Sequence, residues 1–422
     1  QMLLFFQRSI YNASIFVFKA SVRLASLFNP KARLLIDGQK NLLAKIAADL
    51  EDRTDELVWF HCASLGEFEQ GRPVIEAFRQ TYPDLKILLT FFSPSGYEIR
   101  KNYSGADYIF YLPIDTVSNA RRFVNMTNPK LVIFVKYEFW YHYLTQLKKA
   151  DIPVLLISAI FRKQQIFFKP YGQLQRKLLR CFQHIFVQNQ NSLDLLQGIG
   201  ITSISIGGDT RFDRVSDVAK NASSLPLVES FIGASPVMVV GSCWPDDMDV
   251  LIPFINSHQE VKFILAPHEM NETFFNQIEK KITRSMTRYT QVFEPPVNAD
   301  VLLVDKVGLL SSLYQYGNYA FIGGAYGQGL HNILEAAAFG IPIFFGDRNY
   351  KKFQEAIDLI RIKGAFAIKD THELEQRVKA LSEDKKTYRE VAHQCRTYVQ
   401  GNVGATRAIM KQIHELHAGQ SI

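Results

Sequence analysis

The stretch Leu57-Val58-Trp59-Phe60-His61-Cys62 is an apolar run of strand length, and it leads directly into Ala63-Ser64-Leu65-Gly66-Glu67, where a helical pattern begins. Short apolar runs followed by amphipathic stretches then recur along the chain. This alternation predicts a parallel, doubly wound α/β sheet. The strands predicted in the first series are Leu57–Cys62, Lys86–Phe91, Tyr108–Leu112, Leu131–Val135, Val154–Ile157, His184–Val187 and Ser203–Ile206.

A second strand–helix series follows residues 216–235, a polar stretch in which the periodicity lapses. Its predicted strands are Val237–Gly241, Val261–Leu265, Val301–Val304, Tyr319–Ile322 and Pro342–Phe345. We therefore expect an N-terminal segment 1–50, a Rossmann-like domain 51–215, a linker 216–235 and a second Rossmann-like domain 236–422. The helical stretch from about Thr371 onward is compatible with packing on either domain.

Composition places the chain among globular proteins. It has 422 residues, of which 47% are apolar, so it buries more than one core and disorder as the main state is excluded. Cys62, Cys181, Cys243 and Cys395 stand far apart and form no C-x-x-C pair. This spacing fits neither a zinc site nor a disulfide framework and favours reduced thiols in a cytoplasmic protein.

The formal net charge of +7 is unevenly distributed. Residues 1–50 hold seven Lys or Arg against two acids, and a second basic cluster contains no acid. That cluster consists of Arg162, Lys163, Lys169, Arg176, Lys177 and Arg180. Basic patches attract nucleic acid, anionic lipid or phosphorylated substrates, and charge alone does not choose among them.

The first 28 residues are rich in Leu, Phe, Ile and Val, but Arg8, Lys19 and Arg23 interrupt them. The longest charge-free stretch is therefore far shorter than the roughly 20 residues that span a bilayer. On a helical wheel these cations, Asn12 and Ser26 share a sector roughly 60° wide, which is typical of a helix lying in a membrane interface. The alternative is a helix packed on the protein's own core, and a cleaved signal peptide is disfavoured because the basic residues follow the apolar start.

The segment Ser64-Leu65-Gly66-Glu67 follows the first predicted strand, so it lies at the carboxyl edge of the sheet, where open α/β folds bind ligands. Gly66 lets a ligand approach the backbone, and Glu67 is a candidate general base. The structural alternative is a capping box formed by Ser64 and Glu67 at the start of a helix.

A glycine-rich segment joins a predicted strand to a predicted helix: Phe321-Ile322-Gly323-Gly324-Ala325-Tyr326-Gly327-Gln328-Gly329-Leu330-His331-Asn332-Ile333-Leu334-Glu335. Its four glycines are expected to free backbone N–H groups for a phosphate at a helix that begins near His331. It matches neither the dinucleotide fingerprint nor the P-loop. Glu335 is placed to accept hydrogen bonds from a ribose diol, and the alternative is a second capping box with Asn332.

Three weaker features also follow predicted strands. His268, within Pro267-His268-Glu269, is either a nucleotide contact or an ordinary loop residue. Asp246, Asp247 and Asp249 resemble a metal cluster, but acids in the first turn of a helix are favoured by its dipole, and we predict no metal and no cofactor. Glu138, within Val135-Lys136-Tyr137-Glu138-Phe139-Trp140, is either a cleft residue or a helix-start acid.

Taken in order, four of these features resemble the Kdo transferase family over nearly the whole chain. They are Ser64-x-Gly66-Glu67, Glu138-x-Trp140, Gly208-Asp209-Thr210-Arg211-Phe212-Asp213 and the glycine-rich run ending in His331-Asn332-x-x-Glu335. Each motif is weak alone, and their ordered combination with a basic amphipathic N-terminus is specific.

The resemblance implies a GT-B fold, in which two Rossmann-like domains face a cleft, with an N-terminal membrane-interface helix. It also implies inverting transfer of Kdo, an eight-carbon acidic sugar, from CMP-Kdo to a lipid A precursor (lipid IVA) at the cytoplasmic face of the inner membrane. Glu67 is then the base that deprotonates the acceptor hydroxyl. The expected donor-binding residues are His268, Gly324, Gly327, His331, Asn332 and Glu335, and the expected acceptor-binding residues are Ser64, Gly66, Glu138, Arg162 and Lys163.

The chain departs from the family pattern at several positions. The family usually has Glu where this chain has Lys136, Pro-Asn where it has Tyr141-His142, and Arg where it has Pro267. An Asn-Ala-Arg segment of the family appears here as Ser158-Ala159-Ile160-Phe161-Arg162. A sugar-nucleotide epimerase of the same architecture and a non-catalytic nucleotide- or lipid-binding protein are the alternatives. Nucleic-acid binding is disfavoured because the basic residues lie beside an apolar helix.

Overall fold

The computed structural model describes residues 2–292 and 297–420, with side chains described from residue 6 to residue 418 of those ranges. Two compact units are present, one formed by Gln1–Asp213 with Gly404–Ile422 and the other by Arg214–Val403. Each unit is built around one sheet, and every neighbouring pair of strands is parallel. The two predicted parallel α/β domains are thereby confirmed.

The strands are β1 (Leu57–Cys62), β2 (Lys86–Phe91), β3 (Tyr108–Tyr111), β4 (Leu131–Val135), β5 (Val154–Ala159), β6 (His184–Val187), β7 (Ile204–Ile206), β8 (Val237–Cys243), β9 (Lys262–Pro267), β10 (Met286–Arg288), β11 (Val301–Leu303), β12 (Tyr319–Ile322), β13 (Ile343–Gly346) and β14 (Ala365–Ile368). The helices of the first half are α1 (Met2–Ala25), α2 (Pro30–Gln39), α3 (Leu42–Asp49), α4 (Leu65–Thr81), α5 (Pro94–Arg100), α6 (Val117–Thr127), α7 (Tyr141–Lys149), α8 (Gln173–Leu179), α9 (Gln190–Gln197) and α10 (Thr210–Lys220). Those of the second half are α11 (Pro226–Ile232), α12 (Pro245–Ser257), α13 (Glu272–Lys281), α14 (Leu310–Leu313), α15 (Leu334–Phe339), α16 (Gln354–Arg361), α17 (Thr371–Glu383), α18 (Lys385–Gly401) and α19 (Ala405–Gln420).

The strand order reverses once in each sheet. The first sheet has the order β3-β2-β1-β4-β5-β6-β7, and the second has the order β10-β11-β9-β8-β12-β13-β14. The reversals therefore lie between β1 and β4 and between β8 and β12. All six residues of β1 are buried, as expected of a central parallel strand that is covered on both faces.

Every predicted strand is present, with ends that shift by no more than two residues. The sequence pattern did not indicate β10 and β14, which lie at edges of the second sheet. Both strands are short, and β10 has the partly polar sequence Met-Thr-Arg. They are recognised by their pairing with a neighbouring strand, because their sequences show no clear hydrophobic alternation.

The compact units differ from the predicted domain limits in two places. The predicted linker 216–235 contains the end of α10 and the whole of α11. Val228 and Phe231 of α11 are buried. Residues 404–422, expected in the second domain, belong to the first unit, because Ile409 and Ile413 of α19 join the core beneath β1. Hydrophobic periodicity predicts an amphipathic helix but does not say which core its apolar face joins.

The motif residue Asp213 lies where the chain leaves the first unit. Its carboxylate accepts hydrogen bonds from the backbone N–H groups of Gly404 (2.5 Å) and Thr406 (2.7 Å), at the point where the chain returns. Gly404 precedes α19 and Thr406 lies in its first turn, so Asp213 caps a helix distant in sequence. Upstream in the same motif, the buried Asp209 accepts from Gln70 (3.2 Å) and Arg211 (2.7 Å).

Helix α1 packs on the first unit along one face. Phe18 and Val22 contact its main core, and the Tyr11 hydroxyl donates to Asp115 at 2.5 Å. Burial raises the pKa of the Asp115 carboxyl to about 6, although Tyr11 and backbone N–H groups bond to it. Tyr141 and His142, where the chain departs from the family pattern, contact this helix. The Tyr141 ring lies 5.5 Å from that of Tyr11, and His142 Nε2 lies 2.8 Å from Asn12 Oδ1.

The opposite face of α1 is apolar and exposed. The exposed fractions are 73% for Phe16 and 86% for Phe28, which follows the helix, and Phe6, Ile10, Val17 and Leu24 are also exposed. Arg8, Lys19 and Arg23 are exposed as well. One face of the helix thus joins the core, as the alternative interpretation expects, and other faces remain exposed. Within the described part of the chain, no helix combines the length and apolar character needed to cross a bilayer.

Replacing Asp213 by Ala should lower the free energy of unfolding by about 0.5–2 kcal/mol, because two N–H groups at the start of α19 lose their cap. Chemical denaturation followed by circular dichroism measures the change. The matched control is Asp217→Ala, an exposed acid on α10, for which we expect a change within about 0.5 kcal/mol. Equal stability of the two variants would show that Asp213 does not hold α19.

Candidate active site and nucleotide site

The turn between β1 and α4 lies at the strand-order reversal of the first sheet, where open α/β sheets bind ligands. Among the described residues, Ser64 precedes α4 without forming a side-chain cap, and its hydroxyl donates to the Glu67 carboxylate. The two side chains therefore bond to each other instead of forming the capping box that their spacing allows. Gly66 is exposed, and a Cβ there would meet Ser64 Oγ at 3.7 Å, an ordinary contact. Local packing thus does not require glycine at this position.

Glu138 is buried behind this turn, with 6% of its surface exposed. Its Oε2 lies 2.9 Å from His61 Nε2 and 2.5 Å from Trp140 Nε1. On the far side of the ring, His61 Nδ1 lies 2.8 Å from Thr90 Oγ1, which also accepts from Trp59 at 2.7 Å. The expectation that Glu138 lines a cleft is therefore corrected. Its carboxylate is buried and bonds to His61 and Trp140 inside the first unit.

Tyr137, which follows β4, is near both charged candidates. Burial raises the pKa of its phenol, the positive charge of Arg162 lowers it, and the negative charge of Glu67 raises it further. Arg162 and Glu67 are thus both within electrostatic reach of one side chain. Lys136 precedes Tyr137 in a left-handed backbone conformation (φ 73°), which is uncommon for a residue with a side chain. Its Nζ lies 5.5 Å from the centre of the Tyr137 ring.

The basic cluster of residues 162–180 separates into two groups. Arg162 and Lys163 are exposed on the loop after β5. Arg176 instead donates to the backbone carbonyls of Phe167 (3.0 Å) and Lys169 (2.7 Å) and stabilises that loop. Exposed cations of the cluster remain available to an anionic ligand.

In the second unit, the glycine-rich loop follows β12 at the other strand-order reversal. All four of its glycine N–H groups bond within the protein, contrary to the expectation that they are free. Gly323 donates to Gly241 (2.9 Å), Gly324 to Asp247 (2.9 Å), and Gly327 and Gly329 to Gly324 (3.1 and 2.7 Å). Helix α15 begins at Leu334, not near His331, because His331 N donates back to Gly323 (3.2 Å).

These glycines allow two loops to approach closely. A Cβ at Gly323 would lie 2.3 Å from Ser242 O, and one at Gly327 would lie 2.2 Å from Asp246 Oδ2. Gly324 and Gly329 adopt positive φ angles of 94° and 115°. Glycine at these positions therefore lets the loop pack against the turn between β8 and α12. The glycines shape the loop by this packing and not by offering free N–H groups.

The acids of that turn have structural roles. Asp247 Oδ2 accepts from Trp244 N (2.8 Å) and Gly324 N (2.9 Å), and burial raises the pKa of the Asp247 carboxyl to about 6. Asp246 and Asp249 are exposed. In the part of the chain that the structure describes, no three His, Cys, Asp or Glu side chains converge in a way that could hold a metal ion.

Three aromatic rings meet beside the glycine-rich loop. Trp244 Nε1 donates to His331 Nε2 at 2.7 Å, and the ring of His268 stacks on both, with centroid distances of 4.8 Å to Trp244 and 4.2 Å to His331. Burial, with a smaller contribution from His268, lowers the pKa of His331 to about 4. Burial likewise lowers the pKa of His268. The structure thus brings two of the predicted donor-binding residues together.

Asn332 and Glu335 are also adjacent. Asn332 Oδ1 accepts from Leu334 N (3.1 Å), while its Nδ2 donates to Glu335 Oε1 (3.3 Å). The other oxygen, Oε2, accepts from Ser311 Oγ at 2.9 Å. Asn332 therefore bonds to the first residue of the short helix α15 without being its N-cap, whereas the partly exposed Glu335 carboxylate is oriented by two side chains.

Sequence reasoning did not single out Trp244, Tyr137 or Ser311 as site residues. Trp244 comes directly after the central strand β8, and Tyr137 is the second residue after the central strand β4. Their position at the carboxyl edge of a parallel sheet was a signal that could have found them. Ser311 comes from α14, and no motif places it beside Glu335.

Comparison with known proteins agrees with these features. The model of the family described as 3-deoxy-D-manno-octulosonic-acid transferase (kdotransferase) matches residues 39–214. The 3-deoxy-D-manno-octulosonic acid transferase of Aquifex aeolicus is 28% identical over 78% of this chain and 87% of that protein. The protein of the same name from Rickettsia felis is 29% identical over 80% of this chain and 75% of that protein.

Among solved structures, UDP-GlcNAc 2-epimerase from Neisseria meningitidis has a TM-score of 0.60 and 15% identity, covering 85% of this chain and all of that chain. At this identity the likeness shows the fold alone, a pair of Rossmann-like units. These two sequence relatives, by contrast, share one name and extend across both units. Across both units this chain is therefore similar to the 3-deoxy-D-manno-octulosonic acid (Kdo) transferase family, and its fold is of the GT-B type.

Proposed function

We propose that this protein is an inverting glycosyltransferase that moves Kdo from CMP-Kdo to a hydroxyl of a lipid A precursor, lipid IVA, in lipopolysaccharide synthesis. The observation that carries the proposal is the Glu67 carboxylate, which lies at the strand-order reversal of the first sheet and is not used as a helix cap. The names of the sequence relatives support this choice of sugar.

Glu67 acts as the general base. A sugar hydroxyl is a poor nucleophile, so a carboxylate must accept its proton as the new glycosidic bond forms. Glu67 is partly exposed, and the Ser64 hydroxyl donates to it and fixes its orientation. Arg162 and Lys163 are exposed cations that bind phosphate groups of the acceptor.

The second unit holds the donor. When CMP leaves, negative charge develops on its phosphate and must be stabilised by hydrogen-bond donors. Because four glycine N–H groups of the loop already bond inside the protein, side chains around the loop supply part of that stabilisation. Glu335 accepts from the ribose diol, with Asn332 and Ser311 orienting its carboxylate.

Helix α1 attaches the protein to the cytoplasmic face of the inner membrane. Its exposed apolar face enters the interface, and Arg8, Lys19 and Arg23 attract anionic lipid. The loop before α8 adjoins this helix, since Gln7 Nε2 donates to the backbone carbonyl of the exposed Tyr171. An acceptor confined to a lipid surface is then presented to an enzyme bound at that surface.

We expect Glu67→Gln to reduce Kdo transfer by about 10²–10⁴-fold, the range typical of losing a general base. Mass spectrometry of the product formed from CMP-Kdo and lipid IVA measures the rate. Calorimetry should show unchanged CMP affinity, because the substitution lies in the first unit. Glu69→Gln, two residues further along α4, is the matched control and should retain activity within a few-fold. If the Glu67→Gln variant transfers Kdo at the rate of the parent protein, the assignment of Glu67 as the general base is contradicted.

Glu335→Ala should weaken CMP binding by roughly 1.5–3 kcal/mol, because a hydrogen bond to a charged acceptor is lost. Isothermal titration with CMP provides the measurement. Ser311→Ala removes one partner of the carboxylate but leaves the carboxylate in place, so its effect should be smaller. An unchanged affinity in a folded Glu335→Ala protein would leave Glu335 with a structural role only.

Replacing Arg8, Lys19 and Arg23 by Glu should weaken binding to anionic liposomes, because about 1 kcal/mol of attraction per basic residue becomes repulsion. Adding Phe16→Ser and Val17→Ser should weaken it further, whereas Phe18 is unsuitable because it packs on the core. Turnover of a detergent-dispersed acceptor should remain comparatively intact.

Sedimentation with liposomes measures this binding, and charge reversal at Lys280, Lys281 and Lys369 of the second unit is the control with the same change in net charge. Those three side chains are exposed and distant in sequence from α1. If the α1 variant binds liposomes as well as the control, or unfolds, then α1 is a core-packing helix and does not recruit the protein to membranes.

A further inference from the structure

The indole of Trp244 and the imidazole of His331 lie edge to edge in nearly one plane. Their interplanar angle is 7°, their centroids are 6.2 Å apart, and Trp244 Nε1 donates to His331 Nε2 at 2.7 Å. The ring of His268 stacks over both. A short, in-plane hydrogen bond thus joins the two rings beneath a third.

The backbone holds this arrangement in place. Trp244 precedes α12 and His331 belongs to the glycine-rich loop, and Asp247 joins the two segments. Its Oδ2 accepts from the N–H groups of both Trp244 and Gly324, and the side chain is completely buried. The approach of Trp244 to His331 is therefore built into the unit.

This contact determines which nitrogen of His331 carries the proton. An indole N–H only donates, so Nε2 of His331 must be the acceptor. Burial lowers the pKa of His331 to about 4, so the ring is neutral at pH 7 and its one proton is on Nδ1. Among the described residues Nδ1 has no hydrogen-bond partner, and His331 is partly exposed. Its N–H is therefore available to a ligand.

We propose that Trp244 is a positioning residue that holds His331 in the Nδ1–H tautomer, and that this N–H donates to the phosphate of the nucleotide donor. The proposal rests on the proposed function, which supplies the phosphate. It explains which group replaces the glycine N–H groups that already bond within the protein. Because the donor is a neutral imidazole, its contribution does not change between about pH 5.5 and pH 8.

Nitrogen-15 NMR of the full chain with labelled histidine, free of nucleotide, tests the tautomer. The signals of His331, identified by their loss in His331→Asn, should show a protonated Nδ1 and an unprotonated Nε2 that do not titrate from pH 5.5 to pH 8. In Trp244→Phe, which keeps an aromatic ring beneath His268, protonation should shift toward Nε2. A protonated Nε2 in the parent protein, or an unchanged pattern in Trp244→Phe, overturns the role of Trp244.

Calorimetry with CMP tests whether the Nδ1–H group of His331 donates to the phosphate of the nucleotide. Trp244→Phe should weaken CMP binding about tenfold, the factor expected when one hydrogen bond to a charged group is lost. In a His331→Asn background, where the amide nitrogen lies near the position of Nδ1, Trp244→Phe should have little further effect. Equal losses in both backgrounds would show that Trp244 acts independently of His331 and overturn the proposal. If the parent protein does not bind CMP, both the proposed function and the phosphate contact are contradicted. The NMR experiment uses nucleotide-free protein, so it tests the effect of Trp244 on the His331 tautomer independently of the proposed function.

Discussion

In both units every strand runs parallel to its neighbours, and this constraint determines where ligand-binding groups collect. Parallel strands have their carboxyl ends at one edge of the sheet, and the strand order reverses between β1 and β4 and between β8 and β12. At such a reversal the following loops run to opposite faces and leave a crevice between them. Glu67 and Tyr137 follow the first reversal, and Trp244 and the glycine-rich loop follow the second.

Behind each of these edges lies a buried carboxylate that accepts hydrogen bonds from inside the same unit. Glu138 bonds to His61 and Trp140 in the first unit, and Asp247 bonds to two backbone N–H groups in the second. Removing one partner of such a network leaves a buried charge unsatisfied, which costs more than an exposed pair would. These groups therefore hold the loops that carry the partly exposed residues of the candidate site.

The N-terminal helix is an amphipathic segment that joins the core along one face only. Tyr11, Phe18 and Val22 fasten it to the first unit, while Phe16 and Val17 stay exposed on other faces. The helix is therefore neither a free anchor nor an ordinary core helix. Tyr141 and His142 of α7, where the chain departs from the family pattern, contact this helix through Tyr11 and Asn12.

The sequence by itself determined the two parallel sheets, the strands with clear apolar runs and the loops in which site residues lie. Hydrophobic periodicity and strand-end position are local properties, so β1, β4 and β12 could be recognised without a partner. The ordered motifs also indicated the similarity to Kdo transferases that the comparisons bear out. Residues such as Ser64, Glu67, His331 and Glu335 were found because they follow strands at the ligand-binding edge.

Only the tertiary structure decided what each of these residues contacts. It showed that Glu138 is buried, that α19 joins the first core, and that the glycines serve a close approach of two loops and leave few free N–H groups. Pairs such as Trp244 with His331 and Asp213 with Gly404 are far apart in sequence. Because hydrogen-bond partners and burial depend on segments brought together by folding, one sequence read along its length does not specify them.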